Sequence, residues 1–498
     1  MNDSKAVELV HLAGEGATEI KLPTLGGQVS IERTDEALTP YGGLVAWSAF
    51  IKHLGTLERL AESYPLERTS PNAAPVREII HSFVLTALAE GKRFSHVHWL
   101  TEDAGIANVM GMKSVRGEDA LPRLVKGLEA EQARSWMSTA EQELYAGLPE
   151  HFIADWDSTV TTRYGHQEGA AKGYNPFKHG RPSHHPLICV AAGTRLCLHL
   201  EWRPGDTVSA SGWQQAMERL WSHRTIGERL WLNRGDAGFG QEAIMAWHEA
   251  VDQRRPKYLF KLRLTQNVKR AIAKVPWPLW EGHPTLGCEQ VAETTVQLQG
   301  WSCARRIIIV RTLKPRNRSP QDEFWGIPEE EISVYVTNLT TAEATPDQIV
   351  LLYRKRADTE NVFDELKNQW GFRGFCSQRG VVTETAARLV LLTYNLWTLF
   401  VRLMGAEPGQ HVEAVRSRRQ FLIMAAQLVR TGRQKVWKLA VQPAWWTTLR
   451  ACYERLCTWL TTTAPQLEKQ GDFLRLLACE TPVDPRQWFA LTVQPSPP

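Results

Sequence analysis

Three carboxylates draw attention by what surrounds them. Asp157 closes the β-forming run HFIADW. Asp236 follows ERLWLNRG and precedes Ala237-Gly238-Phe239-Gly240. Glu360 lies within YRKRADTENVFDELK, Tyr353 to Lys367. Acids at strand ends sit where α/β folds gather their chemistry, and the glycines after Asp236 permit a tight turn and a close approach. Three carboxylates converging at one sheet edge supply the oxygen ligands that hard divalent cations prefer. Two such ions, roughly 3.5–4 Å apart, activate a nucleophile and stabilise a leaving oxygen at phosphorus. Asp155 shares its strand face with Asp157, because residues i and i+2 point the same way, and is a rival for the role. Taken singly, each Asp also reads as a turn or cap residue.

The element that must carry Glu360 reads as one helix from Thr345 to Trp370. Thr345 is the N-cap, Pro346 suits the first turn and Gly371 is the stop. At about 100° per residue, Tyr353, Arg356, Glu360 and Lys367 fall at roughly 0°, 300°, 340° and 320°. They form a narrow stripe beside an apolar face of Leu351, Leu352, Val362, Phe363, Leu366 and Trp370. A solvated face with spaced ion pairs explains the same pattern.

The other elements follow from texture. Residues 1–40 are polar, with short strands at IKL and VSIER. From Gly43 to about Gly147 the pattern is helical. At 151 it changes: strand HFIADWDSTV, a loop from Arg163 to Pro186, then LICVAAG and RLCLHLEW as a hairpin through Gly193-Thr194. A helix near 209–222, strand ERLWLNRGD, helix QEAIMAWHEAV and strand KYLFKLRL make a mixed α/β sheet. From about 283 to 340 only strands appear, around a Pro- and charge-rich loop. Helices then run to the end.

With 498 residues, the chain is long enough for several domains. It is 43% hydrophobic and 22% charged, with net charge +4, which permits nucleic acid without requiring it. Twenty Trp suit both cores and stacking against bases. The eight Cys hold no C-x-x-C pair, so they read as reduced thiols of a cytoplasmic protein rather than a zinc site. The N-terminus does not resemble a signal peptide. The longest apolar run, 389–401, is too short to span a bilayer, so no membrane partner is expected.

Basic residues cluster near the acids. The loop after Asp157 carries Arg163, Lys172, Lys178 and Arg181, interleaved with Tyr164, Tyr174 and Phe177. The strand-only stretch carries Arg305, Arg306, Arg311, Lys314, Arg316 and Arg318. From Arg416 to Lys438 seven basic residues occur with no acid between them. Such runs around carboxylates point to a polyphosphate backbone. His166, His184 and His185 read as phosphate contacts or surface residues rather than metal ligands.

Tyr353-x2-Arg356-x3-Glu360-x6-Lys367 resembles the Tyr-Arg-Glu-Lys signature of bacterial insertion-sequence transposases of the DDE superfamily. DSTV at 157–160, with YGHQEGAAKGYNP and GRPSHHPL, looks like the first-Asp block of one branch, and RGDAGF at 234–239 looks like the second. The likeness runs from about residue 150 to 405. It implies an RNase H-like mixed-sheet core interrupted by a β-rich insertion domain, with helical N- and C-terminal regions. The implied division is an N-terminal region for DNA-end binding at 1–75, a helical connector at 76–148, and core halves at 149–275 and 342–405. The insertion lies at 276–341, and the C-terminal helical region, for DNA contact or dimerisation, at 406–498.

The resemblance further implies a catalytic and metal-binding triad of Asp157, Asp236 and Glu360, holding two Mg²⁺ with Mn²⁺ as a substitute. Tyr353, Arg356, Lys367, Arg163, Lys172 and Arg181 are the implied DNA phosphate contacts. Family members bind the inverted repeats at an element's ends as homodimers, cut, and join the 3′ ends to double-stranded target DNA, in the bacterial cytoplasm and on the nucleoid. In one branch a Trp of the insertion stacks on a flipped base while the flanking strand leaves as a hairpin. Here Ser333 stands at that place, with Trp325 and Tyr335 nearby, so the resemblance does not extend to that step. The rival functions are an RNase H-like nuclease without strand transfer and a catalytically inactive DNA-binding relative.

Overall fold

The computed structural model describes residues 20–31, 33–176, 178–250, 254–276, 289–313, 330–405 and 411–463. Phe177, Lys314, Arg316, Arg318 and Trp325 lie outside the described residues.

An N-terminal hairpin, β1 (Ile20–Thr24) and β2 (Gly27–Ile31), precedes β3 (Ala37–Thr39). Helices then occupy the region to Gly147, as the sequence pattern predicts. The central element is an eight-stranded sheet. It comprises β4 (Phe152–Ser158), β8 (Leu187–Ala191), β9 (Leu196–Glu201), β10 (Leu230–Gly235), β11 (Lys257–Lys261), β12 (Glu289–Val296), β13 (Arg305–Leu313) and β14 (Glu330–Thr337). Their order is β12-β13-β14-β11-β10-β4-β8-β9. β10 runs parallel to both β4 and β11, and every other pairing is antiparallel. The strand-only stretch therefore does not form a sheet of its own. β14 pairs with β11, and β12 to β14 extend the central sheet to its edge.

Alternation along the strands divides the sheet into two apolar faces. Phe152, Ala154 and Trp156 join the larger core, together with the N-terminal helices and the buried helix Gly380–Met404. Ile153, Leu232, Leu259 and Ile308 join a smaller core with Ile349, Val350 and Leu352. The period of two thus puts Asp155 and Asp157 on the face covered by the segment that carries Glu360. The Gly380–Met404 helix is long and apolar enough to cross a membrane by length and composition, but 94% of its apolar window is buried inside the protein.

That covering segment departs from the expected single helix. Its start is as predicted: Thr345 accepts from the Gln348 amide and the Gln348 side chain bonds back to Thr345, a capping box, with Pro346 at the first position. It then breaks at Lys355–Arg356 into helices Pro346–Arg354 and Ala357–Gln369. The break redirects the chain. The first half buries Ile349 and Leu352 in the smaller core, while the second buries Val362, Phe363, Leu366 and Trp370 in the larger one. One straight helix could not turn its apolar stripe to both. Gly371, at φ +69°, ends the second half in a left-handed turn that a side chain would strain.

Two further stretches differ from expectation. The loop after Asp157 is folded into a small antiparallel sheet of β5 (Thr161–Thr162), β6 (Ala171–Lys172) and β7 (Pro182–His184), in the order β5-β7-β6. The C-terminal region is not wholly helical: β15 (Ala426–Thr431) and β16 (Gln434–Leu439) form a hairpin that pairs with β3.

Candidate active site

The register of the two parallel strands brings the candidate acids together. Arg234 of β10 lies opposite Asp155 of β4, and Gly235 opposite Trp156. One step further, just past the strand end, Asp236 comes beside Asp157. Gly235 must lack a side chain, because a Cβ there would lie 2.6 Å from the Phe239 ring. The turn is fixed by the Gly238 amide, which donates to Asp236 Oδ1 at 2.8 Å, and the Ser158 amide donates to Asp157 Oδ1 at 2.7 Å. Burial pushes the Asp157 carboxyl above its usual range. The positive charge of Arg356 pulls it back down, and repulsion from Asp236 adds to the rise. The two acids therefore sense each other, as carboxylates grouped at one site do.

The helix break delivers the third part. Arg356 is 5% exposed and turned inward. Its Nη2 donates to Asp157 Oδ2 at 2.6 Å and its Nη1 reaches Glu360 Oε1 at 3.3 Å. The guanidinium thus lies between two of the three acids and supplies positive charge there. Glu360 is 65% exposed at its side chain. Tyr353 packs against Tyr335 with the rings tilted by 39° and their centres 4.5 Å apart. Burial raises its hydroxyl above the usual tyrosine range, while Arg356 opposes and Asp236 and Asp157 reinforce that rise. Lys367 is half-buried; burial and repulsion from Arg373 lower it, against attraction from Asp364 and Asp157. Asp236 and Arg356 thus act electrostatically on Asp157, Tyr353 and Lys367 feel the Asp157 charge, and Glu360 is held by the same Arg356.

Asp155 stands in different surroundings from Asp157. It is fully buried and paired with Arg234 through two bonds, 2.6 and 2.7 Å. It also accepts from Thr359 Oγ1 at 2.6 Å. Arg234 in turn bonds the Leu352 carbonyl. This cluster clamps both helix halves onto the strand ends, and Glu360 follows Thr359 directly. Both carboxylate oxygens of Asp155 are thus occupied by Arg234 and Thr359. Sequence reasoning saw it as a rival only because the strand period does not reveal depth.

Several expected phosphate contacts are not available as such. Arg163 is 3% exposed; it donates to His184 Nδ1 at 3.1 Å and to the Arg373 carbonyl at 2.7 Å. It is an internal tie. His184 and His185 are buried, bonded to the Glu168 and Thr207 carbonyls, and are neither surface residues nor phosphate contacts. Arg305 is held by Glu242 and Glu249, and Arg306 by Glu293. Lys172 and Arg181 are exposed as expected, and Arg181 lies over the exposed Tyr164 ring at 5.8 Å.

The oxygen donors of Asp157 and Asp236 suit a hard divalent cation, and their mutual repulsion is what such an ion would relieve. Glu360 belongs to the same donor type but is engaged by Arg356. Among the described residues no three His, Cys, Asp or Glu side chains are gathered closely enough to hold one metal ion.

A comparison with characterised proteins gave no match. Among solved structures, the chain is similar to a piggyBac transposase synaptic complex with hairpin DNA, determined by cryo-EM. The identity is 11% and the TM-score 0.39, over 90% of this chain and 89% of that one. The family model described as transposase DDE domain, group 1, matches residues 23–460 of the 498, and the chain belongs to that family.

Proposed function

We propose that this protein is the transposase of a bacterial insertion sequence, of the branch with the Tyr-Arg-Glu-Lys signature. It binds the terminal inverted repeats of its element as a homodimer in the cytoplasm, cleaves the ends and joins the 3′ ends to double-stranded target DNA. The observation that carries the reading is the meeting of Asp157 and Asp236 at the ends of adjoining parallel strands, under the segment bearing Tyr353, Arg356, Glu360 and Lys367. An RNase H-like core is the fold proposed for β9-β8-β4-β10-β11, and the antiparallel meander followed by two parallel strands supports it.

Members of this family generally work with divalent metal ions, and two Mg²⁺ are proposed here, held by Asp157 and Asp236 and completed by Glu360 when its exposed side chain turns from Arg356 to join them. Such ions would polarise the phosphodiester and activate the attacking hydroxyl. The chain's own residues do the rest. Arg356 and Lys367 neutralise the phosphate being cut, and the Tyr353 hydroxyl donates to one of its oxygens. Lys172 and Arg181 hold the backbone alongside. The Asp155–Arg234–Thr359 clamp keeps the helix in register with the strands, since small misplacements at a reacting centre are expensive in rate.

The test is a joining assay with DNA carrying the element's own ends and a supercoiled target. Covalent joining of 3′ ends to target supports the proposal. End cleavage with no joined product makes the protein a nuclease.

A further inference from the structure

We infer that the β15–β16 ribbon is a grip for duplex DNA, on a different sheet from the carboxylates, using Arg430, Arg433, Lys435 and Lys438. The inference rests on the DNA reading above and adds a second contact surface to it.

The ribbon is firmly seated. Register places Ala426, Leu428, Arg430, Lys435, Trp437 and Leu439 on one face. The inner part of that face closes on the body: Trp437 Nε1 donates to the Gly42 carbonyl at 2.8 Å, and Leu439 lies where a Cβ on Gly42 would sit. The outer end projects past this anchor. There Arg430 pairs directly across from Lys435, Gly432 turns the chain at φ +61°, and Arg433 lies at the tip. Lys438 stands on the other face, and all four cations are exposed.

Like charges facing each other across two strands cost stability, so Arg430 and Lys435 are not placed for the fold's benefit. None of the four cations has an ion-pair partner among the described residues. The sequence holds no acid between Glu413 and Glu454. A fold with roughly balanced charges has thus set apart one projecting ribbon of single sign. A two-stranded ribbon is the width the major groove of B-DNA admits, and its cations match the phosphates on either side.

The test measures binding of the full-length protein to a labelled random-sequence duplex across salt concentrations. Each phosphate contact contributes about 0.9 to the log–log slope. Replacing Arg430, Arg433, Lys435 and Lys438 together by Gln should flatten the slope by about 3.6, whereas Lys52→Gln with Lys126→Gln should leave it unchanged. Lys435→Glu should weaken binding while its melting temperature stays level or rises, because an attractive cross-strand pair replaces a repulsive one. A folded four-Gln variant with the wild-type slope overturns the inference and returns the ribbon to another partner. A wild-type protein with no salt-dependent DNA affinity overturns the DNA reading itself.

Discussion

Arg356 holds Asp157 at 2.6 Å from the far side of a helix break, and the same guanidinium reaches Glu360. Arg356 is therefore engaged with two of the acids at once. Arg356→Ala should slow strand cleavage by about 10²–10³, the usual effect of removing a positioned cation. Arg354, exposed and paired with Glu289, is the control. Arg354→Ala should cost far less, and equal losses would mean that positive charge near the site suffices. A pH–rate profile adds a second readout. Arg356 lowers the Asp157 pKa, so its loss should move the acidic limb of the profile to higher pH.

Asp155 is predicted to matter for stability. Asp155→Asn leaves Arg234 charged and buried, which typically costs about 3–5 kcal/mol. Chemical denaturation should register that loss. Replacing Asp155 and Arg234 together by apolar residues of similar volume should cost less than either single change. Additive losses would mean the two residues do not act as a pair.

His248 gives the protein an acid-sensitive core. Its Nδ1 donates to the Ile244 carbonyl at 2.8 Å, and its Nε2 lies 3.0 Å from the Asn233 amide nitrogen, an arrangement that fits the neutral ring. Burial pushes it down to about 3. The unfolded chain, at about 6.5, binds the proton first. This contribution is therefore whole above pH ~6.5 and falls as pH drops toward about 3, by about 1.4 kcal/mol per pH unit in mid-range. Unfolding free energies measured from pH 7.5 to 4.5 should show this slope, and His248→Gln should flatten it. An unchanged slope in that variant would assign the acid sensitivity elsewhere.

Arg418 should behave as a core residue. It is fully buried, bonds the Gln369 and Ala87 carbonyls and lies over the Trp370 ring at 4.1 Å. Arg418→Ala should lower stability without changing the salt dependence of DNA binding, while the exposed Arg416 and Arg419 should behave the opposite way. A flatter slope with unchanged stability would reverse the assignment.

What the sequence revealed was local. The N-cap at Thr345, the strand positions of Asp157 and Asp236 and the hairpin through Gly193-Thr194 each follow from a few neighbouring residues. What it hid depended on distant partners. Asp155 looks like Asp157 until Arg234, 79 positions away, is set beside it. Arg163 and Arg418 look like free cations until the carbonyls they bond arrive from elsewhere. The break at Lys355–Arg356 has no Gly or Pro to announce it; it follows from two cores that the same segment must fill. The strands from 289 to 337 were legible as strands, but their continuity with the central sheet lies in one pairing, β14 with β11.

The most direct test of the site is the rate of end-DNA cleavage by Asp157→Asn beside Asp155→Asn, Asp236→Asn and Glu360→Gln, each checked for folding and DNA binding. The account predicts that Asp157, Asp236 and Glu360 variants bind DNA and do not cleave it, while folded Asp155→Asn still cleaves, at a reduced rate. Wild-type cleavage by the Asp157 variant, with none from folded Asp155→Asn, would contradict it.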